Sequence, residues 1–275
     1  MRLVAAELIK LRRRTATYVV LIFLLVLMLL TFVAMGDAAP MRFPDAYGLI
    51  GQFAFGLGSL FTLAYAAAIA GADWNWGVLR NVIARGESRA AYIIAKAIGL
   101  AIVVAIGVLI VVATGIALTY LLAVVNREPL PDVFRDGGPL DVGAWLGLGY
   151  VVLLQRAAIG FAVAVVVRSQ LAGVVAGIGL YIGETIITAV GMTVSGLMSL
   201  VMRDELIGPE WFQYLPFQIG DAVLGATVAG GAATDLQSMF LRPVPFEHAL
   251  PLVLAYLLAA LLISVFVVQR REIVA

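Results

Sequence analysis

The chain has 275 residues, of which 63% are hydrophobic and 13% charged, with a formal net charge of +1. A soluble domain averages roughly 45–50% apolar and about 25% charged residues, so a water-soluble globule is excluded. The absence of cysteine excludes disulfides, thiolate metal sites and thiol catalysis.

The apolar residues fall in runs of about twenty, the length that crosses about 30 Å of hydrocarbon. Met1–Arg14 precedes the first run. It places Val4, Leu8 and Leu11 on one helical face, with Arg2, Glu7, Lys10, Arg13 and Arg14 elsewhere and Arg12 completing the basic cluster. The pattern predicts a helix lying on the membrane surface, its cations near anionic lipid. Ala34-Met35-Gly36 loosely resembles a signal-cleavage site, but Tyr18–Met35 is longer than a signal core of about 7–15 residues. The first run is therefore read as a spanning helix.

Six spans are predicted: Thr17–Met35, Leu49–Gly71, Ala91–Val124, Gly143–Val167, Leu171–Met192 and Ala249–Val268. Isolated runs of this kind must be helical, because each has to satisfy its own backbone polar groups in lipid. The expected fold is thus an all-α integral membrane domain filling 1–275. The third run is too long for one straight crossing and must tilt or project from the bilayer.

Basic residues set the orientation. Arg2, Lys10, Arg12–Arg14, Arg80, Arg85, Arg89, Lys96, Arg168, Arg270 and Arg271 fall on one side. The other side holds only Arg42, Arg127, Arg135, Arg203 and Arg242, among a dozen acidic residues that include Asp221 and Glu247. The first side is expected to be cytosolic, with both chain ends there and the protein in the inner (plasma) membrane.

Ala72–Ala90 links the second and third runs on that side. Asp73 is predicted to cap a short helix beginning near Trp74, and Gly86 to end it. Val78 with Val82 and Leu79 with Ile83 form apolar pairs at helical spacing, beside Arg80 and Arg85. This suits a docking element; a helix lying on lipid beside Trp74 and Trp76 is the alternative. On the other side, glycines and prolines break Thr193–His248 into short pieces. Ser195–Met202 and Ala222–Val228 are apolar enough to touch the membrane or dip into it, as a lid or as a packed outer loop.

Arg156 and Glu184 lie inside predicted spans. Arg156 precedes Arg168 by twelve residues and Glu184 follows Gln170 by fourteen. At 1.5 Å per residue both sit about 18–21 Å from the short turn that joins their helices. An isolated charge at that depth is costly, so the two are expected to pair or to share one polar cavity. Gln155 could add a hydrogen bond. The pair serves a pathway or switch on one reading and staples two helices on the other.

Several chemistries have no motif here. There is no G-x-x-x-x-G-K-[ST] loop, no G-x-S-x-G elbow and no H-E-x-x-H pair. The only histidine, His248, stands beside Glu247 at a helix start, so no metal site is expected. Arg12–Arg14 abuts a span, where a topology signal accounts for it better than nucleic-acid binding does.

The order of elements resembles the permease subunit of type-2 ABC exporters. The resemblance rests on Glu7-Leu8-Ile9-Lys10-Leu11-Arg12-Arg13 before the first span and on Gly71-Ala72-Asp73, Gly77-Val78-Leu79-Arg80, Ser88-Arg89 and Lys96 in the cytosolic link. Arg270-Arg271-Glu272-Ile273 follows the last span. Val78 stands where that family often has threonine, and Glu272 where it usually has aspartate. The resemblance implies a permease that dimerises with a second copy and carries one separate ATPase subunit per copy. ATP and Mg²⁺ would bind that partner, and this chain would bind no cofactor. It also implies that the Ala72–Ala90 link is the coupling helix, with Asp73, Trp74, Trp76, Gly77, Val78, Leu79, Arg80, Ile83, Arg85 and Arg89 contacting the ATPase, and that the first helix is a surface elbow. The rival expectation is a secondary transporter or channel using Arg156 and Glu184 as an ion-linked pair. No clear repeat relates the first three runs to the last three, which counts against it.

Overall fold

The structure is a computed structural model that describes residues 2–36, 45–75, 88–127, 142–202, 210–226 and 244–270. Every element among the described residues is helical. Six helices are long and apolar enough to cross a membrane, so the chain is a multi-pass membrane protein. Helix α1 (Arg2–Arg12) leads into the first span, α2 (Thr15–Ala34). The second span is composite: α3 (Asp45–Gly51), a π-helical stretch at Gln52–Leu57, then α4 (Gly58–Asn75). The third to fifth spans are α5 (Arg89–Val125), α6 (Val142–Val167) and α7 (Gln170–Met202). A 3-10 turn at Glu210–Tyr214 and the short helix α8 (Pro216–Gly225) precede the last span, α9 (Phe246–Arg270).

Three boundaries differ from the sequence reading. The second span continues past Gly71 to Asn75, so Asp73 lies within a helix. The fifth continues past Met192 through Met202, and Ser195–Met202 is the end of a span instead of a separate surface piece. The dipping segment begins at Pro216, before the expected Ala222. The third span is one unbroken helix of 37 residues, or about 55 Å. Ser88 caps it, its hydroxyl accepting from the Ala91 N–H at 3.1 Å.

The second span and α6 are the most enclosed of the six. They meet through small residues, which let helix backbones approach closely where no hydrophobic effect drives association. Gly160 of α6 faces the Leu63 main-chain carbonyl, and Gly173 of α7 faces Ala164 of α6. By contrast, α2 touches the bundle along one stripe, Leu24, Met28 and Phe32. Its Val19, Ile22, Phe23, Leu30 and Val33 stay exposed, as suits a surface facing lipid.

These contacts make a prediction. At Gly160 a Cβ would strike backbone, whereas at Gly179 it would meet nothing within 4 Å. Gly160→Leu is expected to lower stability by roughly 1–3 kcal/mol or more, the usual cost of overpacking, and Gly179→Leu to leave it unchanged. Thermal unfolding in detergent checks both.

Candidate functional site

The sharpest local problem in the fold is α8. It is ten residues long and lies among the spans, with Ile219 and Val223 fully buried against Val152 of α6 and Ala249 and Val253 of α9. The first N–H groups of any helix lack partners in the helix, and Phe217 at this end is buried. Pro216 at the first position removes one such donor. Glu184 of α7 meets the next two, accepting from the N–H groups of Phe217 at 2.6 Å and Gln218 at 2.7 Å. A carboxylate there also complements the positive end of the helix dipole.

Arg156 of α6 holds the same turn from the other side. Its guanidinium donates to the Phe217 carbonyl at 3.1 Å, ion-pairs with Asp221 at 2.5 Å, and reaches the Phe55 carbonyl in the π-helical stretch at 3.5 Å. The Tyr181 ring lies 5.9 Å from it. Gln155 donates to the Pro216 carbonyl at 2.6 Å. Gly220 lets α8 approach, because a Cβ there would sit 2.9 Å from Val152 and 3.4 Å from Arg156. Arg156 is fully buried, while the Asp221 side chain keeps 39% of its surface open.

Of the two expectations for Arg156 and Glu184, a direct pair or one shared polar site, the described residues show no direct ion pair between them. Equal depth on adjacent helices does bring both to one place, but α8 stands between them, and each binds it. The charge distribution alone puts Asp221 on the outer acidic surface, whereas its carboxylate meets the buried Arg156. Its local signal was Pro216-Phe217 opening a short apolar run with Asp221 one turn on, which marks a helix but not its insertion.

A second charged cluster closes the α1 end of the bundle. Asp73 is buried and pairs with Lys96 of α5, which is fully buried, and with Lys10 of α1 at 3.1 Å; the Tyr92 hydroxyl donates to it at 2.6 Å. Asp73 is thus not the cap of a following helix. It lies near the C-terminus of α4, where the dipole disfavours a carboxylate, and two lysine cations offset that cost. Around it, Trp74 packs under Arg168, whose guanidinium is 5.8 Å from the ring centroid. Arg168 itself has φ 58° in the tight turn between α6 and α7. Arg89 donates to the last-turn carbonyls of Val268 and Gln269 at 3.3 and 3.4 Å, where a cation suits the helix end.

The surface helix differs from its expected pose. Glu7 and Leu11 are both buried and pack on Gly99 of α5, and Lys10 bonds Glu7 at 3.4 Å as well as Asp73. Its polar stripe thus turns partly inward, because the buried Asp73 carboxylate draws Lys10 to the bundle. Arg12 and Arg13 are exposed, and Arg14 follows the helix as the residue before α2. Of the proposed coupling residues, Asp73, Trp74 and Arg89 gather at this end. Trp76, Gly77, Val78, Leu79, Arg80, Ile83 and Arg85 lie outside the described residues. Among the described residues no group of three or more His, Asp or Glu side chains could hold a metal ion.

Removing one partner of a buried pair strands the other, at about 3–5 kcal/mol. Asp221→Asn strands the fully buried Arg156, whereas Arg156→Met strands an Asp221 that can still reach its surroundings. Asp221→Asn is therefore expected to lower stability more than Arg156→Met does, and the double substitution to recover part of the loss. Denaturant unfolding of the three variants checks the order. In the second cluster, Asp73→Asn is expected to destabilise by a similar amount, and adding Lys96→Met to restore part of it.

No curated protein matches the chain closely enough to count as a relative. A family model described as "Protein of unknown function (DUF2705)" matches residues 42–274, which is most of the chain and takes in the last five spans. The chain therefore belongs to that family.

Proposed function

We propose that the chain is the membrane-spanning permease subunit of an ATP-driven exporter of the type-2 ABC class, working as a dimer with separate ATPase subunits. The observation that carries this reading is the buried cluster of Asp73, Lys96, Lys10 and Tyr92, whose Asp73 stands just before residues 76–87 in the sequence. A partner docked on that segment would act at once on the second span, the third span and α1, because Asp73 bonds to both of the others. A chain with no nucleotide-binding loop of its own needs such a contact to receive work from ATP.

On this reading the α1 end is cytosolic, as its excess of basic residues favours, and the membrane is the plasma membrane. ATP and Mg²⁺ bind the partner. α8 closes the far side, and the substrate pathway runs past the open face of Asp221. ATP binding shifts the permease between two states by differing contacts in each. A gradient-driven transporter is the second reading, favoured by the charged Arg156–Asp221 pair inside the bundle.

The chain, tagged and purified from its own membranes, is expected to bring down a P-loop ATPase. Transport by the pure chain in proteoliposomes, with no ATPase bound, overturns the proposal in favour of the second reading. Substitutions at Leu79, Arg80 or Ile83 are expected to cut transport severalfold while the partner still hydrolyses ATP; full coupling in all three variants counts against the docking role.

A further inference from the structure

Away from both charged clusters, a cavity of about 450 Å³ opens between α2, the second span and α5. Leu21 and Leu24 of α2, Phe53 and Phe61 of the second span, and Val104 and Val108 of α5 form its walls. Along α5 the lining runs from Ile102 to Val111, about 14 Å at 1.5 Å per residue. That is close to half of the roughly 30 Å hydrocarbon thickness, so the cavity follows the depth of one leaflet, on the side of α1.

Its polar groups gather at the α1 end, and among the described residues Arg12 is the only charged side chain that lines it. The Thr17 and Tyr65 hydroxyls bond each other at 2.5 Å, and the Tyr18 hydroxyl donates to the Arg12 carbonyl at 2.8 Å. These hydroxyls are already engaged. The Arg12 guanidinium is exposed and has no side-chain partner among the described residues. Its fork of donors suits a phosphate, and Arg13 beside it adds a second exposed cation.

We propose that this cavity holds one acyl chain of an anionic phospholipid from the α1-side leaflet, with the head-group phosphate on Arg12. An apolar cavity of this size with a few polar groups at its mouth falls in the range of small-molecule ligand sites, roughly 300–1,000 Å³. Among the described residues no carboxylate that would repel a phosphate lines the cavity. The inference rests on the membrane fold alone and does not depend on an ATPase partner.

The test uses the full chain in nanodiscs of equal dioleoyl-phosphatidylglycerol and dioleoyl-phosphatidylcholine, followed by native mass spectrometry of the lipid retained after detergent extraction. The wild-type chain is expected to retain one phosphatidylglycerol per chain, well above the bulk ratio. Gly107 lines the cavity, and a Cβ there meets nothing within 4 Å, so Gly107→Phe puts a ring where the acyl chain lies and is expected to cut retention severalfold. Arg12→Gln, at an exposed position, is expected to abolish the preference and retain the two lipids equally. Leu109→Phe, on the exposed face of the same helix and outside the cavity, is expected to behave as wild type. Retention without head-group preference in the wild type, or equal retention in the wild type, Gly107→Phe and Arg12→Gln, overturns the proposal. So does a second copy of the chain occupying the face in place of lipid.

Discussion

Inside hydrocarbon a charge or a free backbone amide has no water to turn to. The architecture of this protein follows from how it meets that constraint at two places. At one, a helix of ten residues is inserted among the spans, and its first turn is held by a carboxylate, a guanidinium and an amide drawn from two neighbouring helices. At the other, a carboxylate near a helix C-terminus is enclosed by two lysines and a tyrosine. In both, the charged side chain satisfies groups that packing alone would leave stranded, and so fixes which helices are neighbours.

The two places share one element. The second span offers the Phe55 carbonyl to Arg156 near its middle and Asp73 to Lys96 near its end. The same span meets α6 through Gly160 and packs its Gly71 against the Ser169–Gln170 turn. It is thus the member through which the inserted helix and the α1 end are mechanically joined. α2 stands apart from this frame, with one stripe of three buried side chains, the Thr17–Tyr65 bond and the Phe23–Phe61 ring contact among its attachments.

The all-helical class and the placing of six apolar helices were legible in the sequence, because run length and composition are local properties. So was the shared depth of Arg156 and Glu184, since a short turn between two helices fixes their relative register. What was not legible was long-range. Lys96 reads as one more flanking cation until the structure buries it; its only local sign was an ionisable residue already two turns inside an apolar run. Asp73 reads equally well as a cap or as an ion-pair partner, and the choice is decided by Lys96 and Lys10, distant in sequence. Asp221 reads as outer acidity because nothing near it announces that Pro216–Gly225 goes inward. The inward turn of Glu7 rests on contact with Gly99, distant in sequence.

The wide turn at Gln52–Leu57 limits how chains of this kind can diverge. Adding or deleting one residue in a helix rotates everything beyond it by about 100°. A π turn is the easiest place for such a change to be absorbed, since it can relax to plain α-helix without a break in the backbone. Asp73 lies only sixteen residues past Leu57 on the same continuous helix, so a deletion that heals inside the π turn keeps the carboxylate facing Lys96, whereas one in the plain α-helix between Leu57 and Asp73 swings it off. The contact at the far end thereby locks the length of the α-helical stretch before it, and leaves the π turn and the connections between spans as the places that tolerate insertions and deletions.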